Sequence, residues 1–263
     1  MNSLKSFKAQ AIIFDKDGTL IDFHAMWGGW VVFLAQQLQN ASGLNLRIEL
    51  YDLMGYDESS GKVLASGKVA AMPMAHLRTL TVELVQSHGV SNQEAHQLVE
   101  ECWLIPDPVL LAHPFTDMRE LFHNLHSKGI KIAIATADDR APTQAMIEAF
   151  DVEEYISAMV CADDGIPSKP APDMVLTLCK RMDVEPGRVM VIGDTTSDMK
   201  MARASGAGLA VGALSGVSHA RDLAPFADVL IESVEELLHY SPQPETVTGE
   251  ASNPFSSLNP EIA

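Results

Sequence analysis

The spacing of hydrophobic and polar residues changes twice along the chain. An apolar, β-branched run at 11–14 stops at Asp15 and Asp17, which predicts a short buried strand. From 22 to about 114, apolar residues recur at spacings of three and four, which predicts helices and hardly any strand. Beyond 114 the pattern predicts alternating strands and helices. The strands are expected near 130–135, 158–161, 189–192, 208–211 and 229–231, and the helices over 117–127, 143–150, 174–182 and from about 197.

This order of elements predicts the fold class and the domains. Strands that alternate with helices form a Rossmann-like, doubly wound parallel sheet, which is an α/β architecture. The helical stretch interrupts it, so we expect an α/β core from 1–21 and 112–240, with an inserted all-helical cap at 22–111. Residues 241–263 are rich in Pro, Ser, Asn and Glu, and we expect them to be a disordered tail.

Composition excludes some classes of partner. The formal net charge is −17, which argues against nucleic acid, because its binding relies on Lys and Arg. The three cysteines are widely spaced, as expected in a reducing compartment and without a zinc site. The sequence shows no signal-like segment and no membrane-spanning apolar run. We therefore expect a cytoplasmic monomer or homodimer that binds no membrane.

Polar residues follow the ends of several predicted strands. Asp15, Thr136 and Asp194 each stand directly after a strand, and Lys169 lies in the loop after a fourth. In an open parallel sheet, ligands bind beyond the carboxyl ends of the strands. Taken singly, each of these residues is more often a cap, a turn residue or a surface charge. Their convergence on one edge of a sheet favours a common site.

Four motifs carry a resemblance to a known family. They are Asp15-Lys16-Asp17-Gly18-Thr19-Leu20, Thr136 after an apolar run, Ser168-Lys169-Pro170, and Gly193-Asp194-Thr195-Thr196-Ser197-Asp198. In this order and spacing, the chain resembles the haloacid dehalogenase superfamily of phosphohydrolases. The resemblance covers residues 9–240 and is to the phosphoglycolate phosphatase-like branch, which carries a helical cap after the first strand.

The resemblance implies roles for the acids. Asp15 would be the nucleophile that forms an aspartyl-phosphate, and Asp17 would serve as general acid and then as general base. Asp15, Asp194 and the backbone carbonyl of Asp17 would form an all-oxygen metal site, which selects Mg²⁺. The neighbouring Lys16 is given no chemical role, because the family allows many residues at that position.

The resemblance also implies how the phosphoryl group is bound. Thr136, the backbone N–H of Ala137 and Lys169 would hold its oxygens. Thr19 and Asp198 would support these groups from behind, and Asp198 would orient Lys169 or a metal-bound water.

These roles favour one function over its relatives. Dehalogenases and carbon–phosphorus hydrolases of the superfamily lack the aspartate at position 17, so we expect a Mg²⁺-dependent phosphatase of a small phosphorylated metabolite. Phosphomutases keep both aspartates and are an alternative, as is a catalytically silent binding or regulatory module on the same fold. The polar segment 61–68 is expected to be the cap loop that faces the site. Candidates for substrate contacts in the cap, each of them more often a solvated surface charge, are Arg47, Lys62, Lys68, His76 and Arg78.

Overall fold

One six-stranded parallel sheet carries the α/β part of the chain. The computed structural model describes residues 4, 6–64, 67–72, 74–104, 109 and 112–241. In chain order the strands are β1 (Ala11–Phe14), β2 (Tyr56–Asp57), β3 (Lys62–Val63), β4 (Lys131–Ala135), β5 (Ile156–Val160), β6 (Val189–Gly193), β7 (Leu209–Ala213) and β8 (Val229–Ile231). Six of them pair in parallel in the order β5–β4–β1–β6–β7–β8. The doubly wound α/β class predicted from the sequence is confirmed.

Helices lie in the segment that follows β1 and on both faces of this sheet. In chain order they are α1 (Gly29–Ser42), α2 (Arg47–Met54), α3 (Lys68–Ala71), α4 (Met74–Ser87), α5 (Asn92–Cys102), α6 (Met118–His126), α7 (Arg140–Ala149), α8 (Asp173–Met182), α9 (Thr196–Ser205) and α10 (Ala220–Leu223). Helices α6 and α7 pack on one face with Ile12 and Phe14, while α8 and α9 pack on the other with Ala11 and Ile13. Because successive residues of a strand point to opposite faces, β1 is apolar and buried on both.

The segment between β1 and α6 has a hydrophobic cluster of its own. Helices α1, α2 and α5 contribute buried side chains such as Leu34, Leu50 and Val99. The segment is not all-helical as predicted, because β2 and β3 form an antiparallel hairpin. Strands of two residues are too short to produce an alternating pattern. The turn between them is instead stabilised by Asp57, which accepts the N–H of Ser59 at 3.0 Å.

The chain crosses between the sheet and this segment at two adjacent points. Ile21 forms an antiparallel bridge with Pro114. The N–H of Asp22 donates to the carbonyl of His113 at 2.8 Å. The chain segments that leave the sheet after β1 and return to it before α6 are therefore held side by side.

Two further sequence predictions concern the C-terminal tail and membrane-spanning helices. The predicted tail at 241–263 lies outside the described residues, apart from Ser241. Among the residues that are described, no helix has both the length and the apolar character needed to span a membrane.

Candidate active site

The candidate site lies at the carboxyl edge of the sheet, around β1. Strands β4 and β6 flank β1. Asp15, Thr136 and Asp194 follow these three strands directly, and Lys169 lies between β5 and α8. Each strand is a buried apolar run, so the first polar residue after it emerges at the sheet edge. Parallel pairing therefore brings residues far apart in the sequence to one place.

The ammonium group of Lys169 lies between two carboxylates. Its Nζ is 2.6 Å from Asp15 Oδ1 and 2.6 Å from Asp198 Oδ1, and the lysine side chain is only 7% exposed. Burial lowers the pKa of Lys169, but the two carboxylates outweigh this effect and the pKa is raised. Lys169 is therefore charged and offsets part of the negative charge at the site.

Three buried carboxylates gather at the same place. One oxygen from each of Asp15, Asp194 and Asp198 lies within 4.8 Å of the others. Burial raises the pKa of Asp15 to about 6, with Lys169 opposing and Asp198 adding to the shift. Burial, followed by the charges of Asp15 and Asp198, raises the pKa of Asp194 well above its ordinary value of 3.8. One lysine does not balance three acids, so the cluster favours binding of a further cation.

Asp194 has one oxygen that is suited to bind such a cation. Its Oδ2 accepts the N–H of Val217 at 2.8 Å. Its Oδ1 is buried and has no hydrogen-bond partner among the described residues. The backbone also approaches closely, since a Cβ on Gly18 or Gly216 would lie 2.4 Å or 1.9 Å from Asp194 Oδ2. A buried carboxylate oxygen without a donor fits a hard cation such as Mg²⁺.

The carboxylate of Asp17 is held by its neighbour Lys16. Lys16 Nζ lies 2.8 Å from Asp17 Oδ1 and 2.7 Å from Oδ2. It also lies 3.0 Å from Oδ2 of Asp138, which sequence reasoning did not single out. Sequence reasoning gave Lys16 no role, although a lysine between two acids at the end of a buried strand was a usable signal. The predicted contribution of the Asp17 carbonyl to a metal site stays a prediction.

The loop after β4 is fixed by backbone hydrogen bonds around Thr136. The N–H of Thr136 donates to the carbonyl of Val160 at 3.0 Å. The buried Oγ1 of Thr136 accepts the N–H of Asp138, also at 3.0 Å. Ala137 is exposed on the same loop. The binding of phosphate by Thr136 and by the N–H of Ala137 stays a prediction.

Asp198 and Thr19 are both fully buried. Asp198 Oδ2 accepts the N–H of Thr195 at 3.1 Å and its hydroxyl at 2.5 Å, which caps the first turn of α9. The other oxygen, Oδ1, lies 2.6 Å from Lys169 Nζ, and the role of Asp198 in orienting that lysine stays a prediction. Thr19 is fully buried, and within the part of the chain that the structure describes its Oγ1 has no hydrogen-bond partner.

A loop after β7 connects the site to the inserted segment. The hydroxyl of Ser215 donates to the carbonyl of Gly18 at 2.8 Å. His24 donates from Nε2 to the carbonyl of Gly216 at 3.1 Å and accepts the N–H of Val63, in β3, at Nδ1 at 3.2 Å. Burial lowers the pKa of His24, in keeping with this neutral tautomer. Sequence reasoning missed these contacts because most involve backbone groups, which every residue carries.

Comparisons with known proteins identify a matching family model, similar proteins and a similar solved structure. A family model described as a haloacid dehalogenase-like hydrolase matches residues 9–206. N-acetylmuramic acid 6-phosphate phosphatase of Pseudomonas aeruginosa is 24% identical over 237 residues, which are 89% of this chain and 96% of that protein. Phosphoglycolate phosphatase of Escherichia coli is 28% identical over 141 residues, which are 53% of this chain and 55% of that protein. A solved structure from Haemophilus somnus, described as a predicted phosphoglycolate phosphatase, superposes with a TM-score of 0.60 at 16% identity, covering 88% of this chain and 97% of that one.

Proposed function

Because this chain belongs to the haloacid dehalogenase-like hydrolase family, we propose that it is a Mg²⁺-dependent phosphatase of small phosphorylated metabolites that works through a phosphorylated Asp15. The observation that carries this proposal is the set of contacts around Lys169, which pairs with Asp15 and Asp198 beside Asp194. These contacts support the proposal, because they bring a carboxylate, a fixed ammonium group and two further acids together. These are the groups that phosphoryl transfer through an aspartate requires.

In the first half-reaction, Asp15 attacks phosphorus. An electron pair on a carboxylate oxygen of Asp15 forms the new bond, and the bond from phosphorus to the ester oxygen breaks with its pair going to that oxygen. Protonated Asp17 supplies a proton to the leaving oxygen, so the products are an alcohol and phospho-Asp15. Asp15 attacks in its ionised form, which the ammonium of Lys169 favours.

In the second half-reaction, water releases the phosphate. Asp17, now ionised, takes a proton from water while the water oxygen forms a bond to phosphorus. The bond between phosphorus and the Asp15 oxygen breaks, and its electron pair returns to Asp15. Inorganic phosphate leaves, and both aspartates regain their starting protonation states.

Asp15, Asp194 and the carbonyl of Asp17 would hold the Mg²⁺ ion. The support for this assignment is the buried Oδ1 of Asp194, which lacks a hydrogen-bond donor among the described residues. When bound, the ion offsets the combined negative charge of the acids and the phosphate, so that attack becomes favourable.

Three groups would bind the oxygens of the phosphoryl group. Lys169 is held in place by Asp15 and Asp198 before a substrate arrives, so its side chain need not be ordered further when substrate binds. Thr136 and the N–H of Ala137 would contribute from the loop after β4, which is already fixed by backbone hydrogen bonds.

We propose further that residues 22–111 form a cap that selects the substrate, and that the substrate is a phosphorylated sugar. The P. aeruginosa phosphatase aligns over 89% of this chain and therefore over most of this segment, whereas the E. coli phosphatase aligns over 53%. His24 joins the hairpin of this segment to the loop at Gly216, beside the site. These contacts support a role of the hairpin in binding the part of the substrate that does not react.

The test is a panel of sugar 6-phosphates, phosphoglycolate and p-nitrophenyl phosphate assayed for released phosphate. Release is expected with Mg²⁺ and not with EDTA. Asp15→Asn should lower turnover about 1,000-fold while leaving the fold intact. The matched control is Asp52→Asn, an exposed aspartate on α2, which should keep the wild-type rate.

Other outcomes separate the alternatives. A phosphomutase would convert a sugar phosphate to its isomer without releasing an equivalent of phosphate. A silent binding module would release no phosphate from any member of the panel. An Asp15→Asn variant with near wild-type turnover would refute the proposed mechanism.

A further inference from the structure

Lys16 is a buried charge that the mechanism above does not use. Its exposure is 3%, and its ammonium contacts the carboxylates of Asp17 and Asp138. A buried ammonium group is costly unless it is paired and hydrogen-bonded. Both of its partners supply this compensation, and one of them is the proposed acid–base residue.

The contact with Asp17 involves both carboxylate oxygens. Lys16 Nζ lies 2.8 Å from Oδ1 and 2.7 Å from Oδ2. A contact to a single oxygen would leave the carboxylate free to rotate about its terminal bond. Contact with both oxygens restricts this rotation and sets the direction in which Asp17 faces.

The contact with Asp138 gives Lys16 a fixed support. The N–H of Asp138 donates to Thr136 Oγ1 at 3.0 Å, and its carbonyl accepts the N–H of Ala162 at 2.9 Å. Its Oδ1 accepts the N–H of Asp139 at 2.8 Å. The remaining oxygen, Oδ2, lies 3.0 Å from Lys16 Nζ. Lys16 therefore joins the loop that carries Asp17 to the loop proposed to bind phosphate.

We propose that Lys16 is a positioning residue that orients the carboxylate of Asp17 for both proton transfers of the phosphatase reaction. This inference rests on the proposed function, in which Asp17 is general acid and then general base. Lys16 acts through Asp17, because among the described residues its ammonium pairs with Asp17 and Asp138 and with neither Asp15 nor Asp194. Its loss should slow the chemical steps more than it weakens binding of substrate or metal.

The experiment compares Lys16→Met, which keeps the length and removes the charge, with Lys16→Arg, which keeps the charge. For Lys16→Met, kcat is expected to fall at least about 30-fold, while KM and the Mg²⁺ affinity change less than about 3-fold. Lys16→Arg should recover part of the loss. The control Lys128→Met removes a lysine that bonds the Tyr240 carbonyl, away from the site, and should leave kcat unchanged.

A second measurement separates positioning from general destabilisation. With p-nitrophenyl phosphate, whose leaving group needs little help from an acid, Lys16→Met should release nitrophenolate in a burst of about one equivalent before slow turnover, because hydrolysis of phospho-Asp15 still needs the base. In an Asp17→Asn background, Lys16→Met should cause little further loss of kcat. Asp138→Asn, which is nearly isosteric, should also lower kcat. It replaces Lys16→Met as the test variant if Lys16→Met does not fold.

The outcomes are distinct. If the wild type turns over and both Lys16→Met and Asp138→Asn keep kcat within about 3-fold, the role of Lys16 is overturned while the phosphatase stands. Equal losses from Lys16→Met with and without Asp17 would also overturn it. If the wild type releases no phosphate from any ester, the proposed function and the role of Lys16 fall together.

Discussion

The backbone N–H of Val217 donates to Oδ2 of Asp194 at 2.8 Å, and this bond leaves Oδ1 of Asp194 as the oxygen without a partner among the described residues. A peptide N–H has thereby fixed which carboxylate oxygen is free to bind a cation. The approach requires that residue 216 carry no side chain, since a Cβ there would lie 1.9 Å from Asp194 Oδ2.

Gly216→Ala should therefore displace the carboxylate of Asp194. We expect the Mg²⁺ affinity to fall at least about 10-fold, because disturbing a group that orients a metal ligand typically lowers the metal affinity by that amount. Titration of Mg²⁺ by isothermal calorimetry measures this directly. Gly187→Ala is the matched control, because a Cβ at Gly187 meets no atom within 4 Å. Equal Mg²⁺ affinities in the two variants would contradict the prediction.

Asp194→Asn and Asp198→Asn should have different effects. Asp198 Oδ1 forms an ion pair with Lys169 and its Oδ2 accepts from Thr195, whereas Asp194 Oδ1 has neither a hydrogen-bond donor nor an ion-pair partner among the described residues. Asp194→Asn should weaken Mg²⁺ binding at least about 10-fold, and Asp198→Asn should lower kcat with a smaller change in Mg²⁺ affinity. Mg²⁺ titrations of both variants, alongside steady-state kinetics, provide the measurement. The reverse order of Mg²⁺ affinities would assign Asp198, rather than Asp194, as the main ligand.

Mg²⁺ should stabilise the folded chain. Three buried acids share one lysine, so a bound divalent ion relieves their repulsion. At an ion concentration 100-fold above the Kd, the expected gain is about 2.7 kcal/mol, which corresponds to a rise in Tm of roughly 5–10 °C. Thermal melts with Mg²⁺ and with EDTA measure it. The rise should be largely absent in Asp194→Asn, and an undiminished rise in that variant would place the ion elsewhere.

His24 should make stability depend on pH. Burial lowers the pKa of His24 in the folded chain below its ordinary value of 6.5, with the hydrogen bond to the Gly216 carbonyl and then Asp22 opposing the shift and Lys62 adding to it. The unfolded chain therefore takes up this proton more readily than the folded chain. The contribution of His24 to stability is full above pH 6.5 and decreases as the pH falls below it. Urea denaturation at pH 5.5 and 7.5 should show a smaller difference in His24→Gln than in the wild type or in His76→Gln, which changes an exposed histidine.

Lys62 should affect substrate recognition rather than chemistry. It is exposed on β3, the strand that His24 holds beside the site. Lys62→Ala should raise KM for the best sugar phosphate about 5–10-fold, the effect of losing one charged contact. KM for p-nitrophenyl phosphate should stay unchanged, because that ester has no sugar to contact. Lys68→Ala, at the start of α3, tests the other lysine of the predicted segment, and unchanged kinetics in both variants would remove segment 61–68 from substrate recognition.

Most of the fold could be predicted because its helices and strands are long enough for their hydrophobic residues to recur at a regular spacing. The strand at 189–192 is observed as Val189–Gly193, and the helix at 174–182 as Asp173–Met182. The hairpin of β2 and β3 could not be predicted, since two residues cannot display an alternation. Its turn depends on hydrogen bonds of Asp57 with nearby hydroxyls and N–H groups, which are common in loops of every kind.

The grouping of the candidate side chains at one edge of the sheet could be predicted. Asp15, Lys169 and Asp194 stand after strands, and parallel pairing necessarily brings strand ends together. Lys16 was given no role because the family allows many residues at its position, although its place between two acids after a buried strand was a usable signal. The hydrogen bond from Val217 to Asp194 could not be predicted from the sequence, because it uses a backbone N–H that any residue except proline would supply.

The bridge between Ile21 and Pro114 also bears on how such an enzyme diversifies. Because the chain leaves and re-enters the sheet at neighbouring positions, the intervening residues can be exchanged for a different module without moving the strands on either side. Under the proposed function, recombination at these two positions would transplant substrate specificity while conserving the aspartates of the site. A chimera joined there, carrying the corresponding module of a relative, would inherit the donor's choice of ester and the recipient's chemistry.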